Sequence, residues 1–222
     1  MKQAFLLVLL LNFSSVICQI NEVQTPSEKG QFSIGLRSTG SYFTETGQNF
    51  GLGTGGQLRF RLAKKLNTEW FADWIVTNLD GYGLRYDAHI GESMMIYPFS
   101  NADKINTFTP YILGGFCGDY TKVISKIYYD IEKGQNVENA QEKWSFATQI
   151  GLGTHYNITD RFDVSLSAQY VLHFGKDLHV EYESTSNQKY LHITAEDSHG
   201  LEGHLFFSLS ANYIIYDFIK KS

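Results

Sequence analysis

The segment from Arg161 to Phe174, RFDVSLSAQYVLHF, alternates between two kinds of side chain. Phe162, Val164, Leu166, Ala168, Tyr170, Leu172 and Phe174 fall on one side, and Asp163, Ser165, Ser167, Gln169 and His173 on the other. A period of two held over this length marks a β-strand, because successive side chains of an extended backbone point to opposite faces. The pattern defines the faces without saying which is buried. That choice decides the architecture.

Seven further segments share the periodicity, so strands are expected near 31–39, 55–63, 68–78, 86–97, 108–119, 144–157, 162–174 and 203–218. Most reach the roughly 9–11 residues with which a tilted strand crosses a bilayer. Abundant glycine and aromatic residues with only 3 prolines suit an all-β chain with tight turns. The connections alternate in size. AKKLN (63–67), PFSNADKINT (98–107) and NITDR (157–161) are short to moderate, whereas those near 40–54, 79–85, 120–143 and 175–202 are mostly longer. In an up-and-down meander alternate connections share one rim, and one trimmed rim with one elaborated rim is the pattern of bacterial outer-membrane barrels. The expected fold is therefore all-β, an eight-stranded antiparallel up-and-down transmembrane β-barrel.

The facing follows from which polar residues are present and which are absent. Ser33, Gly35 and Arg37, Gln149, Gly151 and Gly153, Ser165, Ser167 and Gln169, and Ser208, Ser210 and Asn212 form small polar faces that suit a narrow interior. No lysine falls inside any expected membrane-spanning core. A soluble sandwich would place lysine on its wet face, while lysine facing mid-bilayer lipid costs about 2–4 kcal/mol. The apolar faces are expected to meet lipid. A lumen ionic network is expected from Arg37, Arg59, Arg61, Glu69 and Asp73, with Arg61 opposite Glu69 if AKKLN is the turn. Aromatic girdles are expected at one rim (Trp70, Tyr97, Phe99, Phe108, Tyr156, Phe162, Tyr216, Phe218) and at the other (Tyr82, Tyr86, Tyr120, Trp144, Phe174). Glu92 breaks the pattern by sharing a face with Ala88, Ile90, Met94 and Ile96, which calls for a bulge near Gly91 or a different register.

Lys2, the apolar run AFLLVLLLNF and the stretch SSVICQ have the three-part form of a secretory signal. Cleavage is expected after Cys18, giving a signal peptide at 1–18 and a single barrel domain at 19–222; a lipoprotein reading of Cys18 is disfavoured by bulky Ile17. Cys117 is then the only cysteine, which leaves no internal disulfide.

The stretches TPYILGGFCGDY, TQIGLGTHYNITDRFDVSLSAQYVL and FFSLSANYIIYDF resemble the small outer-membrane β-barrel proteins, often labelled porin-like, of Gram-negative bacteria including the Bacteroidetes. The resemblance implies a cell-outer-membrane location, with outer-membrane lipid and lipopolysaccharide as surroundings. It is weak on activity, because such barrels serve as anchors, adhesins, narrow channels and lipid-modifying enzymes. The chain ends in IKKS and not on an aromatic residue, so Phe218 stands in for that terminal signal.

Chemistry-bearing motifs are sparse. His173, His179, His192, His199 and His204 fall in or beside the last outer connection among acidic residues. A turn at Ser184–Asn187 would set His179 across from His192 as a weak metal-binding pair for zinc or copper, solvated loop residues being the plainer reading. His204 and Ser208 are too far apart along a strand for direct bonding, and His199 next to Ser198 would diverge from it in an extended segment, so no catalytic residue is assigned. GLGTGGQ (51–57) lacks the lysine, serine and helix of a phosphate loop and reads as an outer loop entering the barrel. No cofactor is expected, and the net charge of -5 without a basic patch excludes nucleic acid. The function expected is a structural or surface-interaction protein acting through its long outer loops, whose ribbon edges would meet a protein or glycan partner. The alternatives are a lipid-modifying enzyme, a narrow channel, or a soluble secreted lipocalin-like carrier with its apolar faces inward.

Overall fold

The computed structural model describes residues 30–43, 50–99, 105–130, 134–174, 177–185, 188–196 and 202–218. The expected signal at 1–18 and the start of the mature chain lie outside the described residues. The strands are β1 (Gln31–Phe43), β2 (Phe50–Ala63), β3 (Leu66–Leu79), β4 (Gly83–Ile96), β5 (Phe108–Ser125), β6 (Tyr128–Asp130), β7 (Gln135–Val137), β8 (Ala140–Asn157), β9 (Phe162–Phe174), β10 (Asp177–Thr185), β11 (Gln188–Glu196) and β12 (Glu202–Asp217). Eight of them close into an antiparallel barrel in the order β1-β12-β9-β8-β5-β4-β3-β2, and β6–β7 and β10–β11 form two separate ribbons. Both ends of the barrel chain meet at one rim, where the Phe218 amide donates to the Gly30 carbonyl at 3.1 Å. That inner rim carries the turn of Lys64 and Lys65, while both ribbons belong to the outer rim.

The side chains of β9 answer the question its alternation raised. Leu166 is 56% exposed, whereas Ser165 and Ser167 on either side are 3% and 8% exposed. The same sense holds round the barrel: Leu36, Leu52, Trp74, Ile90, Ile150 and Leu209 point out, and Arg37, Gln57, Asp73, Gln149, Asn212 and Ser210 point in. A belt of aliphatic and aromatic side chains facing outward is stable only against hydrocarbon, and a closed barrel satisfies every backbone group within that hydrocarbon. The interior is the reverse of the apolar cavity a lipocalin-like carrier requires, so that alternative is set aside.

Four strands extend outward by four residues or more beyond their side-chain pattern. β1 and β5 run on to Phe43 and Ser125, and β2 and β8 begin at Phe50 and Ala140. In β8 the outer end loses the in–out alternation while the hydrogen-bond ladder to β5 continues; in β2 the alternation persists, with Phe50 and Leu52 outward, but glycines fill the inward positions. GLGTGGQ accordingly lies inside β2, paired to both β1 and β3, and is not a loop. Its glycines permit close approach: a Cβ on Gly53 would stand 2.6 Å from Ile75 Cγ1. The connection after β3 is also shorter than expected, a tight turn in which Asp80 and Gly81 both take positive φ, and the Gly81 amide donates to Asn78 Oδ1 at 2.7 Å.

Two expectations about facing are corrected. Tyr97 is not in a girdle; it is fully buried, packing with Met95, Tyr111 and Leu113 as a floor across the inner end of the lumen. Glu92 needs neither bulge nor slipped register. β4 pairs without interruption on both sides, and Glu92 faces outward opposite Trp70 and Phe116. It accepts a hydrogen bond from Thr68 Oγ1 at 2.8 Å, close to the end of β4 at Ile96. Of the other expected rim aromatics, Phe108 pairs with Tyr156 and Tyr216 with Phe218 at the inner rim, and Tyr120 with Trp144 and Tyr86 with Trp74 toward the outer, whereas Tyr82 packs on Tyr182 over the mouth of the barrel.

Candidate functional site

Within the lumen an alternating chain of charge runs Asp73, Arg37, Glu69, Arg59, Asp163. Arg37 Nε lies 3.1 Å from Asp73 Oδ1 and Arg37 Nη1 3.5 Å from Glu69 Oε1. Arg59 Nη2 lies 3.0 Å from Glu69 Oε2 and Arg59 Nη1 3.2 Å from Asp163 Oδ1. Each guanidinium thus bridges two carboxylates, the arrangement in which buried charges compensate one another. Surrounding hydroxyls and amides complete the set: Arg37 donates to Ser208 at 3.0 Å, Arg59 to Ser165 at 3.3 Å, and Asn212 to Asp163 at 2.9 Å.

The register differs from the expected one. With only Lys64 and Lys65 in the turn, Glu69 pairs with Arg59, and Arg61 pairs with Asn67 nearer the rim, where it is half-buried. The turn is tighter than AKKLN suggests, which moves the pairing by one inward-facing step. Asp163, which completes the chain of charge, was visible on the polar face of β9, but its partner across the barrel was not.

A second cluster, unassigned from sequence, lies toward the outer rim. Arg85 Nε donates to Asp87 Oδ1 at 3.0 Å, and Thr121 Oγ1 donates to the same oxygen at 2.7 Å. His89 Nε2 and His173 Nδ1 sit on the two oxygens of Asp119, at 3.1 and 3.0 Å. The ring of His204 is 4.5 Å from that of His173. His173 and His204 therefore face the lumen, on the polar faces that the alternation of their strands gives them. Parity within β4 could have found His89, which alternates with Arg85 and Asp87; the meeting of three strands on Asp119 could not be read from it. Between the two clusters Phe71, Ile75, Cys117, Ala147, Val171 and Phe206 form an apolar layer, with Cys117 as a buried free thiol among them.

The outer mouth is covered. Leu178 and Leu191 with Ile193 from the β10–β11 ribbon pack on Leu79 and Val123, with Tyr82, Val180 and Tyr182 at the margin. Tyr182 donates to Asp80 Oδ2 at 2.9 Å, and the rings of Tyr128 and Tyr190 stack at 4.4 Å, joining the two ribbons. The opposite face of the β10–β11 ribbon carries Glu181, Glu183, Tyr190 and His192. The expected His179 and His192 pair does not form across the ladder: the turn is tighter, so His179 pairs with Thr194 and His192 with Glu181. The His179 side chain lies outside the described residues. His192 Nδ1 is 3.9 Å from Glu183 Oε1.

Neither Ser208 nor Ser145 is placed as a nucleophile beside a base, and at His155 the Ser165 hydroxyl and Asp163 both approach the one nitrogen Nδ1. Ser208 is engaged with Arg37 and Thr39, not with His204. Ser145 Oγ and Asp119 Oδ2 both approach the same nitrogen of His173, Nδ1, at 3.3 and 3.0 Å. A relay needs the acid and the nucleophile on opposite nitrogens of the ring. Ser198 and His199 lie outside the described residues.

No protein-family model matches the chain, and no curated protein matches it in sequence. Its fold is similar to that of Neisserial surface protein A, NspA, with a TM-score of 0.55 at 12% identity over 86% of this chain and 100% of that one. The chain has the fold of an outer-membrane β-barrel. Lesser likenesses run to Ail, the attachment invasion locus protein of Yersinia pestis (TM-score 0.49, 15% identity, 83% of this chain and 98% of that one), and to a major outer membrane protein of Thermus thermophilus (0.48, 11%, 82% and 98%). Nothing among them supports a Bacteroidetes source.

Proposed function

We propose that the protein is an integral component of the cell outer membrane whose filled barrel is an anchor for the outer ribbons, which engage a partner protein or surface glycan. The carrying observation is the β10–β11 ribbon. One face is fixed on the barrel mouth by Leu178, Leu191 and Ile193, while the face with Glu181, Glu183 and Tyr190 is turned away from it. Such a ribbon is held in one orientation before any partner arrives, which lowers the ordering cost of binding. Its two strands pair only with each other, so its edges are open to strand addition. The belt contacts outer-membrane lipid and lipopolysaccharide. Eight strands enclose little more than side chains, and the apolar cap, the charge chain and the Tyr97 floor argue against a conducting lumen. This reading assigns no catalysis and no cofactor.

The test replaces residues 177–196 by a short turn. The shortened barrel is expected to keep its heat-modifiable folded band and lose binding to intact cells or glycan arrays. Unchanged binding would refute the role of the ribbon, and steady single-channel conductance by the full chain would establish the narrow-channel alternative.

A further inference from the structure

We propose that His89, Asp119 and His173 form a binding site for one divalent transition-metal ion, of the zinc class, inside the outer half of the barrel. Each residue offers one donor atom, and the donor atoms all lie within 4.8 Å of one another. They come from β4, β5 and β9, with His204 of β12 beside His173, so the site is built by the closed barrel and cannot preexist in the unfolded chain.

The geometry within the cluster distinguishes a ligand set from an ordinary ion pair. His89 Nε2 and Asp119 Oδ1 approach to 3.1 Å, yet neither atom takes part in a hydrogen bond of acceptable alignment. His89 Nδ1 and His173 Nε2 are likewise buried without a hydrogen-bond partner. Buried imidazole nitrogens are normally satisfied, and here His89 Nε2 and Asp119 Oδ1 lie side by side without satisfying one another. Donors that ligate one ion lie side by side in this way. Tetrahedral ligands at about 2.0–2.2 Å from zinc stand roughly 3.3–3.6 Å apart; His89 Nε2 lies 3.1 Å from Asp119 Oδ1 and His173 Nδ1 3.0 Å from Oδ2, slightly closer than that. Modest spreading of the three side chains would admit the ion.

The donor set selects the metal. Two imidazoles and one carboxylate suit zinc, nickel or copper, whereas calcium and magnesium require a shell of oxygen ligands. His204 packs beside His173, their ring centroids 4.5 Å apart. His173 is the least buried of the three, its side chain 9% exposed against 1% for His89 and Asp119. Bound there, the ion would tie the neighbouring strands β4 and β5 to β9, which lies beyond β8, so it should stabilise the barrel and not perform chemistry on a bulky substrate.

The experiment uses the full mature chain without an affinity tag, refolded in detergent, stripped with a chelator, and titrated with Zn(II) and with Co(II). Elemental analysis reads bound zinc per chain, the visible Co(II) spectrum reads the ligand field, and the heat-modifiable gel band reports folding. One equivalent of zinc, retained through desalting, is expected. Asp119→Asn and His173→Gln should each weaken binding at least about tenfold, and His192→Ala on the ribbon should leave it unchanged. A folded wild-type barrel that retains no stoichiometric Zn(II) or Co(II) overturns the proposal, whatever the variants do. So does loss of binding in His192→Ala, or full retention in folded Asp119→Asn and His173→Gln.

Discussion

Replacing Arg37 by methionine keeps most of the buried stem and removes the charge that serves Asp73. Arg37 approaches Asp73 at 3.1 Å and Glu69 at 3.5 Å, and it donates to Ser208 at 3.0 Å. Glu69 would keep Arg59 at 3.0 Å, so the charge left without its nearest cation is that of Asp73. Removing one partner of a buried ion pair costs about 3–5 kcal/mol, chiefly through the stranded charge. If that charge is the cause, Asp73→Asn in the same background should recover the larger part. What remains should be about 1–2 kcal/mol, from the lost hydrogen bond to Ser208 and the lost stacking over the Phe71 ring, where the guanidinium lies 4.7 Å from the centroid. Equilibrium urea unfolding of the wild type, both single variants and the double variant in lipid vesicles measures the cycle, with tryptophan fluorescence and the folded gel band as readouts. The expected coupling of about 2 kcal/mol or more is well beyond the roughly 0.3–0.5 kcal/mol within which independent sites add. Additive effects, or a cost below about 1 kcal/mol for Arg37→Met, would refute the assignment of the network as the lumen's principal compensation.

Gly115→Ala should sharply reduce the folded fraction, by about 1–3 kcal/mol or more, because its Cβ would overlap the Glu92 carbonyl and stand 2.8 Å from Ser93 Cα. Gly56→Ala, with its nearest neighbour at 3.7 Å, should fold normally, and the two heat-modifiable gel bands make the comparison. The Cys117 thiol should resist a maleimide in the folded barrel and react after denaturation, as mass spectrometry would show, since it is sealed in the apolar layer with Phe71, Val171 and Phe206. Leu191→Asp should release the ribbon from Leu79 and Val123, so that limited proteolysis cuts within 177–196 while the barrel stays intact.

The barrel was legible because a membrane-spanning strand separates two solvents, and that separation prints a period of two on each segment. β9 was readable to its ends for this reason. Where polar and apolar residues no longer alternate the print fades, which is why the outer extensions of β1, β5 and β8 escaped the pattern, whereas GLGTGGQ escaped it because Gly51, Gly53 and Gly55 carry no side chain to mark the inward face. Register depends on turn length, and the sequence around Lys64 and Lys65 permits more than one. The pairing of Glu69 with Arg59 and not Arg61 follows from that single ambiguity, and a second turn of uncertain length likewise offsets His179 from His192. Tyr97 was misplaced because it was read by its nearness to the rim, although its parity with His89, Ser93 and Met95 turns it inward. The Asp119 cluster joins residues far apart in the chain, and only closure of the barrel brings His89 and His173 to one carboxylate.

The facing of the strands underlies every other claim, and quenching of tryptophan by lipids with brominated acyl chains measures it directly. In a background with Trp70, Trp74 and Trp144 changed to phenylalanine, single tryptophans at Leu166 and Leu209 on the belt are compared with ones at Val171 and Phe206 inside. Strong quenching at the first pair and little at the second is predicted. Quenching confined to Val171→Trp and Phe206→Trp, or absent from all four in reconstituted vesicles, would contradict it.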